Sequence, residues 1–230
     1  MANSIPIPMV SISAEDKVLF ETVNHFVHHY MSQSEYDSSH DYNHILRVVS
    51  NANRVLEAEL KANPNHEYDT SALFLAALLH DVGDHKYAKP GEVVSNQIYN
   101  IMREHGGSEE LAHKVQAIVK HVGYTNEIKN PQSVVDTMAK YPELAIVQDA
   151  DRLDAIGAVG VARCFTYGGA NRRAEPMAAA VEHFAEKLYK LPEMMKTVAG
   201  KEMATARKRI LEDFAAQFKE ETQLSFALDS

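Results

Sequence analysis

The eight residues from Ala72 to Leu79 are all apolar, the longest such run in the chain. The run is far short of the roughly 20 residues that a membrane-spanning helix requires. It also offers no polar face to water, so it predicts a helix, Ser71 to about His80, enclosed by others on every side. Asp69 or Thr70 is placed to cap its start, and His80-Asp81 stands at its end. Such a helix needs partners with one apolar face each, and the flanking segments provide them. Val18, Leu19, Val23, Phe26, Val27 and Tyr30 recur at helical spacing, as do Ile45, Val48, Val49, Ala52 and Leu56. Alternating β-branched runs are few. The expected fold class is all-α, a single-domain helical bundle.

Turn and cap residues divide the chain further. Ser13 and Asp16 have the spacing of a capping box before a first helix that ends near Met31. Ser32 to Ser39 reads as a loop, and the second helix stops around Asn63-Pro64. Val82 to Gly91, with its glycines, proline and charges, suits a loop over a site. A fourth helix runs to about His105, Gly106-Gly107 stop it, and Ser108 caps a fifth that reaches about His121. Gly123 to Ser133 reads as loop, and a long helix from near Pro142 holds Asp149, Asp151 and Asp154. Tyr167-Gly168-Gly169 reads as a turn, Pro176 opens a helix ending near Pro192, and a charged amphipathic helix occupies about Lys201 to Phe226. No fixed repeat or low-complexity linker interrupts this series. The expected organisation is a short tail over residues 1–12 and one helical domain, 13–230, with a C-terminal helical extension.

Composition narrows the possible functions. With 230 residues and 45% hydrophobic content the chain can bury a core unaided, and its one cysteine, Cys164, precludes an intrachain disulfide. A reducing cytoplasm is the expected compartment. Met1 to Ser11 has neither a secretory signal pattern nor the arginines of a mitochondrial presequence. The net charge of −9, from 23 Lys plus Arg against 32 Asp plus Glu, disfavours broad nucleic-acid binding. It leaves room for a small anionic substrate, because local cations or a metal dominate at short range. Twelve histidines are a large supply of metal ligands and proton-transfer groups.

Three separated segments carry the chemistry: His44-Ile45-Leu46-Arg47-Val48, His80-Asp81, and Ala150-Asp151-Arg152-Leu153-Asp154. This order, from Tyr42 to Asp154, resembles the HD superfamily of metal-dependent phosphohydrolases. Further runs, His40-Asp41-Tyr42-Asn43-His44, His80-Asp81-Val82-Gly83-Asp84 and Gln148 through Ala158, resemble its small stand-alone members, which include nucleoside-triphosphate pyrophosphohydrolases. His183-Phe184 and Lys187-Leu188, before a long charged helix, extend that resemblance into the tail. It implies an HD-type bundle with His44, His80, Asp81 and Asp151 as ligands. Two imidazoles and two carboxylates suit one divalent ion, Mn, Fe, Co, Ni or Zn, with Mg also admitted. His80 and Asp81 sit near a helix C-terminus, where the dipole favours a cation. Asp151 is taken over its neighbours because it occupies the acidic place of the family's pattern. Asp149 and Asp154 are left between a site role and a solvated face or an ion pair with Arg152.

The resemblance also places an acidic residue at Asp84, near the attacking water or leaving group. His85 and His121 are further candidates for proton transfer. His121 and His105 occur where some HD proteins add histidines for a second metal, although a helix C-terminus followed by glycine accounts for both. Four residues separate His40 from His44 and three separate Arg47 from it, so His40 can orient His44 or touch substrate while Arg47 reaches phosphate. His183 and Lys187, four apart, and Arg163 are candidates for extending the pocket toward phosphate oxygens. Cys164 reads as a packing residue. The resemblance implies hydrolysis of a nucleoside triphosphate to monophosphate and pyrophosphate. A nucleoside-monophosphate phosphatase, a dinuclear iron oxygenase using His105 and His121, and a non-catalytic nucleotide-binding module are the alternatives. The last helix could support a homodimer, and intramolecular packing explains the same pattern.

Overall fold

The computed structural model describes residues 5–33, 39–83 and 96–227, and among these the chain is helical with no strand. The first three helices are α1 (Lys17–Met31), α2 (Tyr42–Ala62) and α3 (Thr70–Leu79). α4 (Gln97–Glu104), α5 (Glu109–Val122), α6 (Tyr124–Lys129) and α7 (Pro131–Lys140) follow. α8 (Glu143–Asp154), α9 (Gly157–Asn171), α10 (Met177–Glu186), a 3-10 helix over Leu188–Met194 and α11 (Val198–Glu221) complete the order.

The apolar run behaves as its composition requires. Every residue from Ala72 to Leu79 is fully buried, and α3 packs against α1, α2, α5 and α8 at once. Burying one such leucine contributes about 2 kcal/mol, so this single helix anchors the core. α2 and α8 make the most extensive helix pair. Asp69 Oδ1 caps α3 by accepting from the Ala72 amide at 2.9 Å, and Ser108 Oγ caps α5 through the Leu111 amide at 3.2 Å. Ser13 Oγ accepts from the Asp16 amide at 3.3 Å and donates to its carboxylate at 2.6 Å, just before α1. Ahead of it, the Pro6 carbonyl accepts from Asn24 Nδ2 at 3.0 Å, which ties the preceding segment to α1.

Four elements depart from the sequence expectation. α10 stops at Glu186, and a separate 3-10 helix carries Pro192. Gly123 to Ser133 is not a loop: Gly123 starts α6, and Asn130-Pro131 starts α7 with proline in its first turn. The turn signals there mark two helix boundaries lying close together. Tyr167-Gly168-Gly169 lies inside α9, which continues to Asn171, so the glycines cost the helix some stability without ending it. α11 begins at Val198 behind a Thr197 cap and ends at Glu221, earlier at both ends than expected. Among the described residues no helix is long and apolar enough to cross a membrane.

Candidate metal centre

Asp41 sets the position of His44. Its carboxylate accepts from the His44 amide at 3.0 Å, which starts α2 so that His44 falls in the first turn facing inward. α3 delivers His80 and Asp81 at its C-terminus, and α8 delivers Asp151 from its last turn. The Nε2 atoms of His44 and His80 are 3.1 Å apart. Asp81 Oδ2 lies 3.2 Å from His44 Nε2 and Asp81 Oδ1 3.5 Å from His80 Nε2. Asp151 Oδ1 is 3.7 Å from both imidazoles. His44, His80 and Asp81 form the tight core of this group, and Asp151 closes it from a more exposed position.

Several features fit a divalent cation at this point. His80 Nδ1 lies 2.9 Å from the Ala77 carbonyl, which can only accept, so Nδ1 carries the proton and Nε2 the lone pair. His44 Nδ1 lies 2.7 Å from Asp154 Oδ2. Two ring nitrogens 3.1 Å apart, each backed in this way, need a positive species between them, a proton or a metal. Asp81 Oδ2 is buried with no hydrogen bond to satisfy it, so it too is aimed at a cation. Burial opposes ionisation of Asp81, yet the imidazoles of His80 and His44 hold its carboxyl well below the usual range. Burial likewise lowers His44, but Asp154 and Asp81 outweigh it and leave the imidazole above its ordinary value. A metal bound here would compete with a proton for His44, and its binding would weaken as pH falls.

Asp154 is buried and neither solvated nor paired with Arg152. It accepts from His44, from Arg47 Nε and Nη2 at 2.8 and 3.1 Å, and from Arg163 Nη1 at 3.1 Å. Burial alone would raise its pKa; hydrogen bonds from His44 and Arg47 and the charge of Arg163 instead hold it far below the carboxylate range. Asp149 turns to the other side of α8, where it accepts from the Lys196 and Thr197 amides and from Thr197 Oγ1, each at 2.8 Å. Burial is strong enough to leave Asp149 above its ordinary value despite these bonds. Arg152 pairs with Glu127 and donates to the Met194 carbonyl at 2.8 Å.

The centre opens into a cavity of about 1160 Å³. His40, Arg163, His183 and Lys187 line it. The His40 ring lies 5.8 Å from that of His44, and His40 Nδ1 lies 2.8 Å from Ser39 Oγ. Arg163 lines the cavity while bound to Asp154 and to the Ser39 carbonyl at 2.8 Å. His183 pairs with Glu186 at 3.2 Å. Lys187 caps the end of α10 rather than sitting within it, with its ammonium 4.8 Å from the Tyr124 ring centroid. Arg47 is spent on Asp154 and lies outside the lining. His121 is outside it as well: Nδ1 donates to the Ala117 carbonyl at 2.7 Å and Nε2 lies 2.8 Å from Ser133 Oγ. His105 packs on Phe26, so neither histidine joins the cluster. Asp84 and His85 lie outside the described residues. Lys120, Lys129, Arg172 and Arg173 also line the cavity, and sequence spacing to the ligands marks none of them.

Residues 41–156 match the HD domain family. The chain is 32% identical to YpgQ of Bacillus subtilis over 189 residues, covering 80% of this chain and 85% of YpgQ. The crystal structure of B. subtilis YpgQ in complex with ADP superposes with a TM-score of 0.66 at 29% identity, covering 87% of this chain and 93% of that one. An HD-superfamily hydrolase from Bacillus thuringiensis superposes with a TM-score of 0.62 at 30% identity, covering 92% and 100%.

Proposed function

Because the chain belongs to the HD domain family, we propose that it is a metal-dependent phosphohydrolase that cleaves a nucleoside triphosphate to monophosphate and pyrophosphate. The observation that carries this reading is the convergence of His44, His80, Asp81 and Asp151 at the wall of a large cavity. These four residues would hold the ion. When bound, the ion supplies Lewis acidity at a phosphoryl oxygen and makes water available as a nucleophile near neutrality.

The cavity supports an anionic substrate. Among the described lining residues, Lys120, Lys129, Arg172, Arg173 and Lys187, besides the Arg163 held on Asp154, stand against Asp81, Asp151 and Glu175, two of which belong to the proposed ligand set. An acidic chain has thus gathered cations around one opening, the arrangement that attracts and orients phosphate. Lys120, Lys129 and Arg173, which line the cavity, take the phosphate-gripping role that spacing assigned to Arg47. A nucleotide as the substrate is supported by the complex of YpgQ with ADP. Water attacks the α-phosphorus, the bond from that phosphorus to the bridging oxygen breaks, and pyrophosphate leaves with the electron pair. His40, beside His44, and Asp84 and His85, in the segment after Asp81, are the proposed proton-handling groups. All four ligands come from one chain, so a homodimer is not needed to complete the site.

Metal-stripped protein supplied with Mn²⁺, Mg²⁺, Co²⁺, Ni²⁺ or Zn²⁺ and a panel of nucleoside tri- and monophosphates provides the test. Pyrophosphate release that depends on the ion and falls at least about 10³-fold in Asp81→Ala is the expected result, the scale on which a lost Lewis acid is felt. Orthophosphate from monophosphates would assign a nucleotidase instead. Tight nucleotide binding without turnover under any ion would assign a binding module.

A further inference from the structure

We propose that Asp154 is a positioning residue that selects the metal-binding form of His44, and that Arg47 and Arg163 serve this carboxylate rather than the substrate. The inference rests on the reading of the cluster as a divalent-metal centre. A neutral imidazole carries one proton, on either Nδ1 or Nε2, and only the Nδ1–H form leaves a lone pair on Nε2. His80 obtains that form from the backbone, through the Ala77 carbonyl. His44 has no such carbonyl; its Nδ1 faces Asp154 Oδ2 at 2.7 Å, across 110 residues of sequence. The tautomer of His44 therefore depends on a side chain that must stay ionised while almost wholly buried.

Two guanidinium groups meet that requirement. Arg47 binds both oxygens of Asp154 from α2, and Arg163 reaches Oδ2 from α9 at 3.1 Å. An ionised carboxylate can only accept, so the proton of His44 is confined to Nδ1 and its Nε2 lone pair points at His80 and Asp81. Arg163 also donates to the Ser39 carbonyl at 2.8 Å, which joins α9 to the segment ahead of α2. One carboxylate thus fixes the chemistry of a ligand and the meeting point of α2, α8 and α9.

The test combines a wild-type measurement with a variant. Long-range ¹H–¹⁵N correlation spectra of the metal-free protein, recorded at a pH where His44 is neutral, are expected to show the Nδ1–H form; an Nε2–H form overturns the proposal. In Asp154→Asn the amide can donate to Nδ1 and move the proton to Nε2. Calorimetric titration with Mn²⁺ is then expected to show affinity lowered about 10- to 100-fold, with the circular dichroism of the wild type retained. Affinity within twofold of wild type overturns the proposal. On a His44→Ala background the same substitution is expected to change Mn²⁺ affinity no further, and an additive loss would mean that Asp154 acts elsewhere. Should Asp154→Asn not fold, the wild-type spectrum still decides. A wild type that binds no ion would overturn the metal reading alone, because the tautomer readout does not depend on it.

Discussion

Gly157 turns the chain between α8 and α9 with φ at +77°, a conformation that side-chain-bearing residues rarely adopt. A Cβ there would also lie 3.1 Å from Arg207 Cγ. Arg207 cannot easily move aside, because its guanidinium holds the Leu153 carbonyl and Asn51 Oδ1. Gly157→Ala is expected to destabilise the protein by about 2 kcal/mol, read from urea unfolding midpoints. An unchanged midpoint would show that Arg207 yields. The chemistry at this scale was only partly legible in sequence. Residue type and order single out His44, His80, Asp81 and Asp151, and the fold brings these four side chains together. The partners of Arg47 and Arg163 are not legible. Spacing places Arg47 one turn from His44, but its carboxylate lies 107 residues away, and local periodicity carries no information about that encounter.

α8 shows how one helix serves two sides of a molecule. Asp151 and Asp154 face the cavity and the imidazole cluster, while Asp149 and Arg152 hold the segment that leads into α11. Glu127 of α6 joins this second set by accepting from both Arg152 and Lys196, so the cavity wall formed by α6 is tied to the helix that carries Asp151. Burial opposes ionisation of Glu127, but Lys196 and Arg152 hold its carboxyl below the ordinary value of 4.5. A depressed folded-state pKa contributes stability that is present above the unfolded value and disappears as pH falls through the folded one. Glu127→Gln is therefore expected to cost about 2 kcal/mol near neutrality, the scale of a hydrogen bond between charged groups. Urea unfolding across pH should show the gap from wild type closing below about pH 4; a gap independent of pH would mean that charge is not its source. Helix starts marked by Asp69 and Ser108 were legible because a cap is a local hydrogen bond. Gly168 and Gly169 misled because a glycine weakens a helix without having to end it, and α9 runs through both.

Across the whole molecule, the proposed ligands join α2, α3 and α8, three helices that meet in the core. An ion bound there favours the folded state, by about 2.7 kcal/mol at a hundredfold excess over its dissociation constant. For a chain of this size that corresponds to a rise of about 5–10 °C in Tm. Scanning calorimetry with Mn²⁺ should record it, and both a chelator and His80→Ala should abolish it. No shift in the wild type would mean that the folded protein does not hold the ion. The all-helical class was legible at this scale because periodicity is summed over many residues, whereas the cationic cavity was hidden by a net charge of −9 that averages over the surface. The wide separation of the ligands has a kinetic consequence. His44 meets His80 across 36 residues and meets Asp151 from a helix still further along the chain, so no stretch of unfolded chain presents a preformed ion trap. The trap exists only once α3 has been enclosed by its neighbours. An ion then acts by holding the finished structure shut, slowing its opening, and does little to hasten its assembly.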